Sequence, residues 1–182
     1  MVAFKSRYAL SRPVFEEQAK LLLVVAPYYK EITDALIVGA QSEISAINAV
    51  SEIIEVPGAL EIPTAIAMAD KQSDFDGYIA LGCVIRGETT HYDAVCCNSN
   101  QAIQFLGLRG LCIGNGILNV ENHQQALKRA NPALGNKGAA AAAAALHLIY
   151  LRIKLRKSTN AVGFRTREDG ITSEKSASSD RK

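Results

Sequence analysis

The chain has 182 residues, of which 48% are apolar and 21% are charged, and its net charge is +2. This length and composition suit one globular domain with a substantial core. It contains no run of about 18 apolar residues, so we expect no membrane span; residues 1–10 lack the apolar segment of a secretion signal.

The positive charge is concentrated at the C-terminus. Residues 1–150 contain 11 Lys and Arg against 14 Asp and Glu, whereas residues 151–182 contain 9 against 4. We therefore predict a folded domain over residues 1–157, followed by a polar, disordered tail over residues 158–182. Nucleic-acid binding through this tail is the alternative, and for the domain itself we expect no nucleic-acid partner.

Four short apolar segments alternate with helical patterns along the chain. Each segment is too short for a helix and is bounded by Pro, Gly or polar residues, which predicts buried parallel strands. The predicted strands are residues 21–26, 53–56, 78–85 and 111–118. The helical patterns fall within residues 32–47, 59–69, 92–106, 120–130 and 138–157.

Strands that alternate with helices predict right-handed crossovers. The predicted fold is α/β: a three-layer αβα sandwich around a four-stranded parallel sheet, flavodoxin-like in type. Residues 2–8 could form a further N-terminal strand that adds to the sheet of a neighbouring subunit. Ligands of such folds gather at the carboxyl ends of the strands. Four tips there are rich in polar and glycine residues, namely 27–29, 57–61, 86–91 and the segment from Asn115 onward.

The tip after the third predicted strand has the strongest functional pattern. An apolar run ends in Arg-Gly-Glu-Thr-Thr-His over residues 86–91, where helical spacing begins. Free N–H groups of a first helical turn, together with hydroxyls, can hold a phosphate; simple N-capping by Thr89 or Thr90 is the alternative. His91 lies beside this anion site, where an imidazole could accept and return protons. A structural role for a single histidine is the alternative.

Residues 56–63 form a second unusual junction, in which two prolines enclose a glycine and a glutamate. Pro57 and Gly58 predict a tight turn that exposes the backbone of Ala59 and Leu60. The Glu61 carboxylate could bind a polyol or an amine. Alternatively, it could do no more than stabilise the helix by interacting with the positive end of the helix dipole.

Other candidate residues have ordinary explanations when taken singly. Tyr28 and Tyr29 either cover the edge of the core or stack on a planar heterocycle. Arg129 and Lys137 could be no more than exposed cations. The four cysteines (Cys83, Cys96, Cys97 and Cys112) lack metal-ligand spacing, so we expect a reduced cytoplasmic protein without disulfides. The chain has neither GxxxxGK[ST] nor GxGxxG, which argues against a nucleoside triphosphate or a dinucleotide.

Taken together, four motifs in order and at matching spacing closely resemble the 6,7-dimethyl-8-ribityllumazine synthase family, the penultimate enzymes of riboflavin biosynthesis. The motifs are residues 56–63, residues 81–93, residues 120–122 with 125–130, and residues 135–138. The resemblance implies condensation of 5-amino-6-(D-ribitylamino)uracil with 3,4-dihydroxy-2-butanone 4-phosphate. The lumazine, phosphate and water would be the products, and neither cofactor nor metal would be needed.

The resemblance also implies site residues. His91 would transfer protons, and twelve further residues would bind the substrates. These are Tyr28, stacked on the pyrimidine; Ala59, Leu60 and Glu61, around the ribityl chain and heterocycle; Cys83, Val84 and Ile85, with backbone groups for the pyrimidine; Glu88, Thr89 and Arg129, on the phosphate; and Asn115 and Lys137, which complete the site.

The family resemblance further implies a homo-oligomer in which a neighbouring subunit supplies Asn115, Arg129 and Lys137. Residues 130–134 differ from the pattern of large icosahedral members, which favours a homopentamer or a decamer. Riboflavin synthase is a candidate pathway partner. Two departures stand out: Pro-Tyr-Tyr at residues 27–29 replaces a frequent Arg-Phe-Asn, and Asn115 replaces a commoner aromatic residue.

Two other functions are considered. One is a non-catalytic, flavin- or lumazine-binding assembly protein; the other is a flavodoxin-like electron carrier. His91, Arg129 and Lys137 together favour an enzyme, because stacking a ring would not need all three.

Overall fold

Four parallel strands form the centre of the fold in the computed structural model, which describes residues 10–159. The strands are β1 (Ala19–Val25), β2 (Ala49–Glu55), β3 (Gly77–Ile85) and β4 (Ile113–Val120), in the spatial order β2-β1-β3-β4. The helices of this part of the chain are α1 (Lys30–Ser45), α2 (Ile62–Gln72), α3 (His91–Leu108), α4 (His123–Ala130) and α5 (Lys137–Thr159). A 3-10 turn, Pro27–Tyr29, joins β1 to α1.

Strand β1 shows why both faces of the sheet are covered. Its side chains alternate, so Leu21, Leu23 and Val25 pack with α1 and α5, whereas Leu22 and Val24 pack with α2 and α3. None of these five residues is more than 2% exposed. The predicted three-layer α/β sandwich with a four-stranded parallel sheet is therefore confirmed.

Helix α5 lies unusually close to its neighbours. A Cβ on Gly138 would overlap the carbonyl of Leu36 in α1, and a Cβ on Gly114 would overlap the carbonyl of Ala141 in α5. Only glycine permits such approach of one backbone to another. The alanine-rich start of α5 continues this close packing, since Ala142 is fully buried.

By length and composition alone, α5 could cross a membrane, because an 18-residue window within residues 137–157 has a mean hydropathy of 1.3. The same property is expected of a helix that lies against a core. Leu146 and Ile149 of α5 are at most 1% exposed within the main core cluster.

The second strand differs most from its prediction. It begins at Ala49 rather than at residue 53, and most of its residues are exposed, so the expectation of a buried strand was wrong. Ile53 is 40% exposed and Ile54 is 38% exposed. The reason is the helix cover: β2 is an edge strand packed chiefly against α1, whereas the other edge strand, β4, is covered by α3, α4 and α5 and is mostly buried.

Two helices begin later than predicted. Residues 58–61 form a turn, so α2 begins at Ile62 and not at residue 59. Strand β4 extends to Val120, so α4 begins at His123. The predicted N-terminal strand over residues 2–8 lies outside the described residues. Most of the predicted tail does too, although α5 continues through Thr159.

Candidate active site

The carboxyl ends of β1 and β3 border a cleft of about 360 Å³, which we call the first cleft. Small-molecule pockets have volumes of this order. Eight of the predicted site residues line it: Tyr28, Ala59, Leu60, Glu61, Cys83, Val84, Ile85 and His91. They come from four separate segments of the chain, which the parallel sheet brings to one edge.

One wall of the first cleft is the turn before α2. The Glu61 N–H donates to the Gly58 carbonyl at 3.2 Å, and the Ala65 N–H donates to the Glu61 carbonyl at 3.0 Å. A Cβ on Gly58 would lie 2.9 Å from Oε2 of Glu61, so glycine leaves room for that carboxylate. Glu61 is exposed and Leu60 is 41% exposed, so both can meet a ligand.

The opposite wall is aromatic. The rings of Tyr28 and Tyr29 meet edge to face, with centroids 5.0 Å apart. Tyr29 packs against the main core cluster, and burial raises the pKa of its phenol. Tyr28 is 75% exposed. Tyr29 therefore covers the edge of the core, whereas the Tyr28 ring is open for stacking.

His91 is the first residue of α3 and lines the first cleft. Its N–H lies 3.4 Å from Oγ1 of Thr89, and Thr90 makes no capping bond with its side chain. Among the described residues, its imidazole has no hydrogen-bond partner, so the ring is free to act on a ligand. Glu88 and Thr89 are exposed in the loop before α3, beyond the residues that line the cleft.

Cys83 lines the same cleft but is 6% exposed. Burial raises the pKa of its thiol to about 11, with a smaller contribution from Cys96. A thiol of this kind stays protonated near neutral pH and is a poor nucleophile.

The remaining predicted residues lie elsewhere. Asn115, Arg129 and Lys137 line a second cleft of about 290 Å³, between β4 and α5, and none of them lines the first cleft. Asn115 was placed at a strand tip, but it lies inside β4, as the predicted strand over residues 111–118 implies, and β4 continues five residues beyond it. Its side chain donates from Nδ2 to Oδ1 of Asn100 at 2.6 Å.

The cations of the second cleft, Arg129 and Lys137, form no ion pair among residues 10–159. Arg129 donates from Nη1 to the Gln125 carbonyl at 3.3 Å. Lys137 begins α5 directly after Asn136, which has a left-handed φ of 40°. Asn136 caps α5, since its Oδ1 accepts from the Ala139 N–H at 3.3 Å.

Arg86 is a residue that sequence reasoning overlooked. It donates from Nη1 and Nη2 to Asp93 at 3.1 and 3.0 Å, and from Nε to Glu121 at 2.8 Å. The guanidinium carbon lies 4.0 Å from the centroid of the Tyr92 ring. The Arg86 hydrogen bonds lower the pKa of Asp93. The sequence indicates this ion pair only through the spacing of Arg86 and Asp93, which are seven positions apart on either side of a loop that contains Gly87.

Comparisons with known proteins agree on one family. The model of the 6,7-dimethyl-8-ribityllumazine synthase family matches residues 18–152. The chain is 48% identical over 158 residues to the 6,7-dimethyl-8-ribityllumazine synthase of Jannaschia sp., which spans 87% of this chain and 89% of the relative. It is 51% identical over 134 residues to that of Novosphingobium aromaticivorans, across 74% and 96% of the two chains. The corresponding enzyme of Zymomonas mobilis is 50% identical over 137 residues, across 75% and 99%.

Proposed function

The chain belongs to the 6,7-dimethyl-8-ribityllumazine synthase family, and we propose on that premise how its residues carry out the family reaction. The chain is a transferase of riboflavin biosynthesis. It condenses 5-amino-6-(D-ribitylamino)uracil with 3,4-dihydroxy-2-butanone 4-phosphate and releases 6,7-dimethyl-8-ribityllumazine, phosphate and water.

The first cleft is the observation that supports this assignment of roles. The open ring of Tyr28 suits a pyrimidine, and the exposed carboxylate of Glu61 suits a polyol chain. Backbone groups of Cys83, Val84 and Ile85 would orient the heterocycle. Juxtaposition of two reactive partners in such a cleft supplies much of the rate acceleration.

His91 would move the protons of the reaction. Schiff-base formation, loss of phosphate and ring closure all need proton transfer near neutral pH, and an imidazole without another partner suits this task. The departing phosphate would meet the loop with Glu88 and Thr89, at the N-terminus of α3, and the guanidinium of Arg129.

This assignment requires the two clefts to meet. His91 lines the first cleft and Arg129 lines the second, and the two clefts share no lining residue within one chain. We therefore infer a homo-oligomer, with a homopentamer as its unit, in which the second cleft of one subunit, with Asn115, Arg129 and Lys137, completes the first cleft of its neighbour. The free cation of Arg129 supports this arrangement, because an unpaired guanidinium is available to an anion.

The cytoplasm is the proposed location, and the four cysteines are free thiols, which suits a reducing compartment. An enzyme that consumes the lumazine, riboflavin synthase, is the proposed pathway partner.

The reaction is tested by mixing both substrates with the purified protein and following the absorbance of the lumazine. Steady formation of product, dependent on both substrates, is expected. A protein that binds lumazine without forming it would instead be the non-catalytic assembly protein considered above.

The role of His91 is tested with His91→Ala, which should lower kcat by about tenfold and leave binding of the phosphate substrate nearly unchanged. His123→Ala is the matched control, since His123 is also exposed and also the first residue of a helix, and it should keep full activity. An unchanged kcat in His91→Ala would remove the proton-transfer role.

The role of Arg129 is tested with Arg129→Ala, which should chiefly raise KM for the butanone phosphate. The neighbouring Lys128→Ala is the control, because Lys128 is an exposed cation of the same helix that does not line the second cleft. Equal effects of the two substitutions would contradict a specific phosphate contact.

The shared site is tested by mixing variants. Leu60→Trp should block the first cleft and Arg129→Ala should impair the second. When the two variants are unfolded and refolded together, about a quarter of the sites should regain both intact halves by random assembly. No gain of activity over the separately refolded variants, or a monomer in light scattering, would refute a site between subunits.

A further inference from the structure

Arg86 lies one residue beyond β3 and is held by both its backbone and its side chain. Its N–H donates to the Val120 carbonyl at 3.0 Å, which continues the contact between β3 and β4. Its side chain reaches forward to Asp93, the third residue of α3, through two parallel hydrogen bonds of 3.1 and 3.0 Å. Such a bidentate pair fixes the orientation as well as the distance of its partners.

The segment enclosed by this pair, residues 87–92, consists of the loop with Glu88 and Thr89 and the first two residues of α3, His91 and Tyr92; we call the whole segment the loop of residues 87–92. One end of the loop leaves β3 at Arg86, and the other end enters the first turn of α3 near Asp93. At the α3 end, the Thr90 carbonyl accepts from the N–H groups of Asp93 and Ala94 at 3.0 and 3.3 Å. At the β3 end packing is open, because a Cβ on Gly87 would meet no atom within 4 Å. Because the Arg86 guanidinium joins the β3 end to the first turn of α3, its loss would allow residues 87–90 and the start of α3 at His91 to shift relative to β3.

The charge balance around Arg86 argues against a direct role in phosphate binding. Two carboxylates, those of Asp93 and Glu121, surround one guanidinium, and the ring of Tyr92 lies over its face at 4.0 Å. The cluster of these three charges is therefore negative in sum. Arg129, which has one backbone acceptor and no ion pair among residues 10–159, retains its positive charge for an anion.

A second connection runs from Arg86 to the helix that carries Arg129. Glu121, bonded to Nε of Arg86, donates its own N–H to Oε1 of Gln125 at 3.0 Å. The carbonyl of Gln125 accepts from Nη1 of Arg129 at 3.3 Å. Arg86 is thus connected through Asp93 to the loop of residues 87–92, and through Glu121 and Gln125 to Arg129 of the second cleft.

From this geometry we propose that Arg86 is a positioning residue that holds the loop of residues 87–92 for anion binding and holds His91 for proton transfer, through Asp93. The proposal rests on the function proposed above. It assigns to Arg86 no contact with substrate and leaves the phosphate to the loop and Arg129.

The test compares Arg86→Gln, Asp93→Asn and the double variant with the wild-type protein. Each single variant should lower kcat/KM for the butanone phosphate by about tenfold or more, because misplacement of reacting groups by about 1 Å can cost a hundredfold. Inhibition by inorganic phosphate should weaken in parallel, since the anion site includes the loop. The double variant should be little worse than Arg86→Gln alone, because that substitution already removes both bonds to Asp93.

A matched control is present elsewhere in the chain. Arg12 makes an equivalent pair with Glu43, at 2.9 Å from Nε and 2.9 Å from Nη2, and it lines neither cleft. Arg12→Gln removes two bonds, as Asp93→Asn does, and should lower the melting temperature to a similar degree but leave kcat/KM and phosphate inhibition unchanged. All assays are run well below the melting temperatures. Arg86→Lys keeps the charge without the planar pair of donors and should remain impaired.

Three outcomes would overturn the proposal. The first is wild-type kcat/KM and phosphate inhibition in both Arg86→Gln and Asp93→Asn. The second is a lower kcat/KM in Arg86→Gln together with stronger inhibition by phosphate in Asp93→Asn. That result is expected if Arg86 itself binds the phosphate. The third is full rescue by Arg86→Lys. Absence of turnover in the wild-type protein would refute the proposed reaction instead, and calorimetry with inorganic phosphate would then still test Arg86.

Discussion

The thiol of Cys83 should be about a hundred times less reactive than an ordinary protein thiol, although it lines the first cleft. Burial raises its pKa from 9.0 to about 11, a change of two units. When the pH is well below both pKa values, each unit by which the pKa rises lowers the thiolate fraction tenfold. About 1% of the ordinary thiolate population therefore remains. Alkylation proceeds through the thiolate and should slow by the same factor, with steric hindrance slowing it further.

The assay is timed alkylation of the native protein with iodoacetamide at about pH 8, followed by mass spectrometry of the cysteine peptides. Cys97 is exposed and serves as the internal reference. Denatured protein should show equal rates at the two positions. Native Cys83 modified as fast as Cys97 would refute the argument from burial, and it would reopen the thiol as a nucleophile in the first cleft.

The same pKa shift has a consequence for stability. Since the folded state holds the Cys83 proton more tightly than the unfolded state, the stabilisation is complete below about pH 9 and is lost as pH rises through 11. Two units correspond to about 3 kcal/mol at most. Between pH 9 and pH 11, the free energy of unfolding in urea should therefore fall more steeply with pH for the wild-type protein than for Cys83→Ala. Equal slopes for the two proteins would contradict the raised pKa.

Three further predictions concern stability. Burial, with a contribution from the Asp70 carboxylate, raises the pKa of Tyr78 to about 12. The buried Tyr78 hydroxyl has no partner within hydrogen-bond distance among the described residues. Tyr78→Phe should therefore raise the free energy of unfolding by about 1 kcal/mol, and a clear loss of stability would show that Asp70 accepts a hydrogen bond from this hydroxyl. Gly138→Ala should destabilise by about 1–3 kcal/mol in urea because of the overlap with Leu36, whereas the control Gly107→Ala, where nothing lies within 4 Å, should be neutral or stabilising. His147 faces the carbonyls of Ala143 at 2.7 Å and Ser11 at 3.0 Å; His147→Phe should cost about 1 kcal/mol and speed proteolysis near residue 11, and an unchanged digestion pattern would contradict that contact.

Local patterns in the sequence were sufficient for the fold class and for most of the first cleft. The apolar run that forms β3 is buried on both faces, so it was visible as a strand without any knowledge of its partners. The Pro57–Gly58 turn and the start of α3 at His91 are likewise local, because proline, glycine and helix spacing act over a few residues. For this reason, Tyr28, Ala59, Leu60, Glu61 and His91 could be placed at strand tips before their contacts were known, whereas Cys83, Val84 and Ile85 were selected through the family resemblance.

Tertiary structure decided what depends on neighbours distant in the chain. The exposure of β2 follows from the few helices that cover it, chiefly α1, whereas β4 at the opposite edge is covered by α3, α4 and α5. The register of β4 against β3 put Asn115 opposite Ala80 within the strand and not at its tip. The separation of His91 from Arg129 into two clefts and the bond from Arg86 to Asp93 arise in the same way. Alternation and propensity are determined by adjacent residues, whereas these features are determined by which segments the folded sheet brings together.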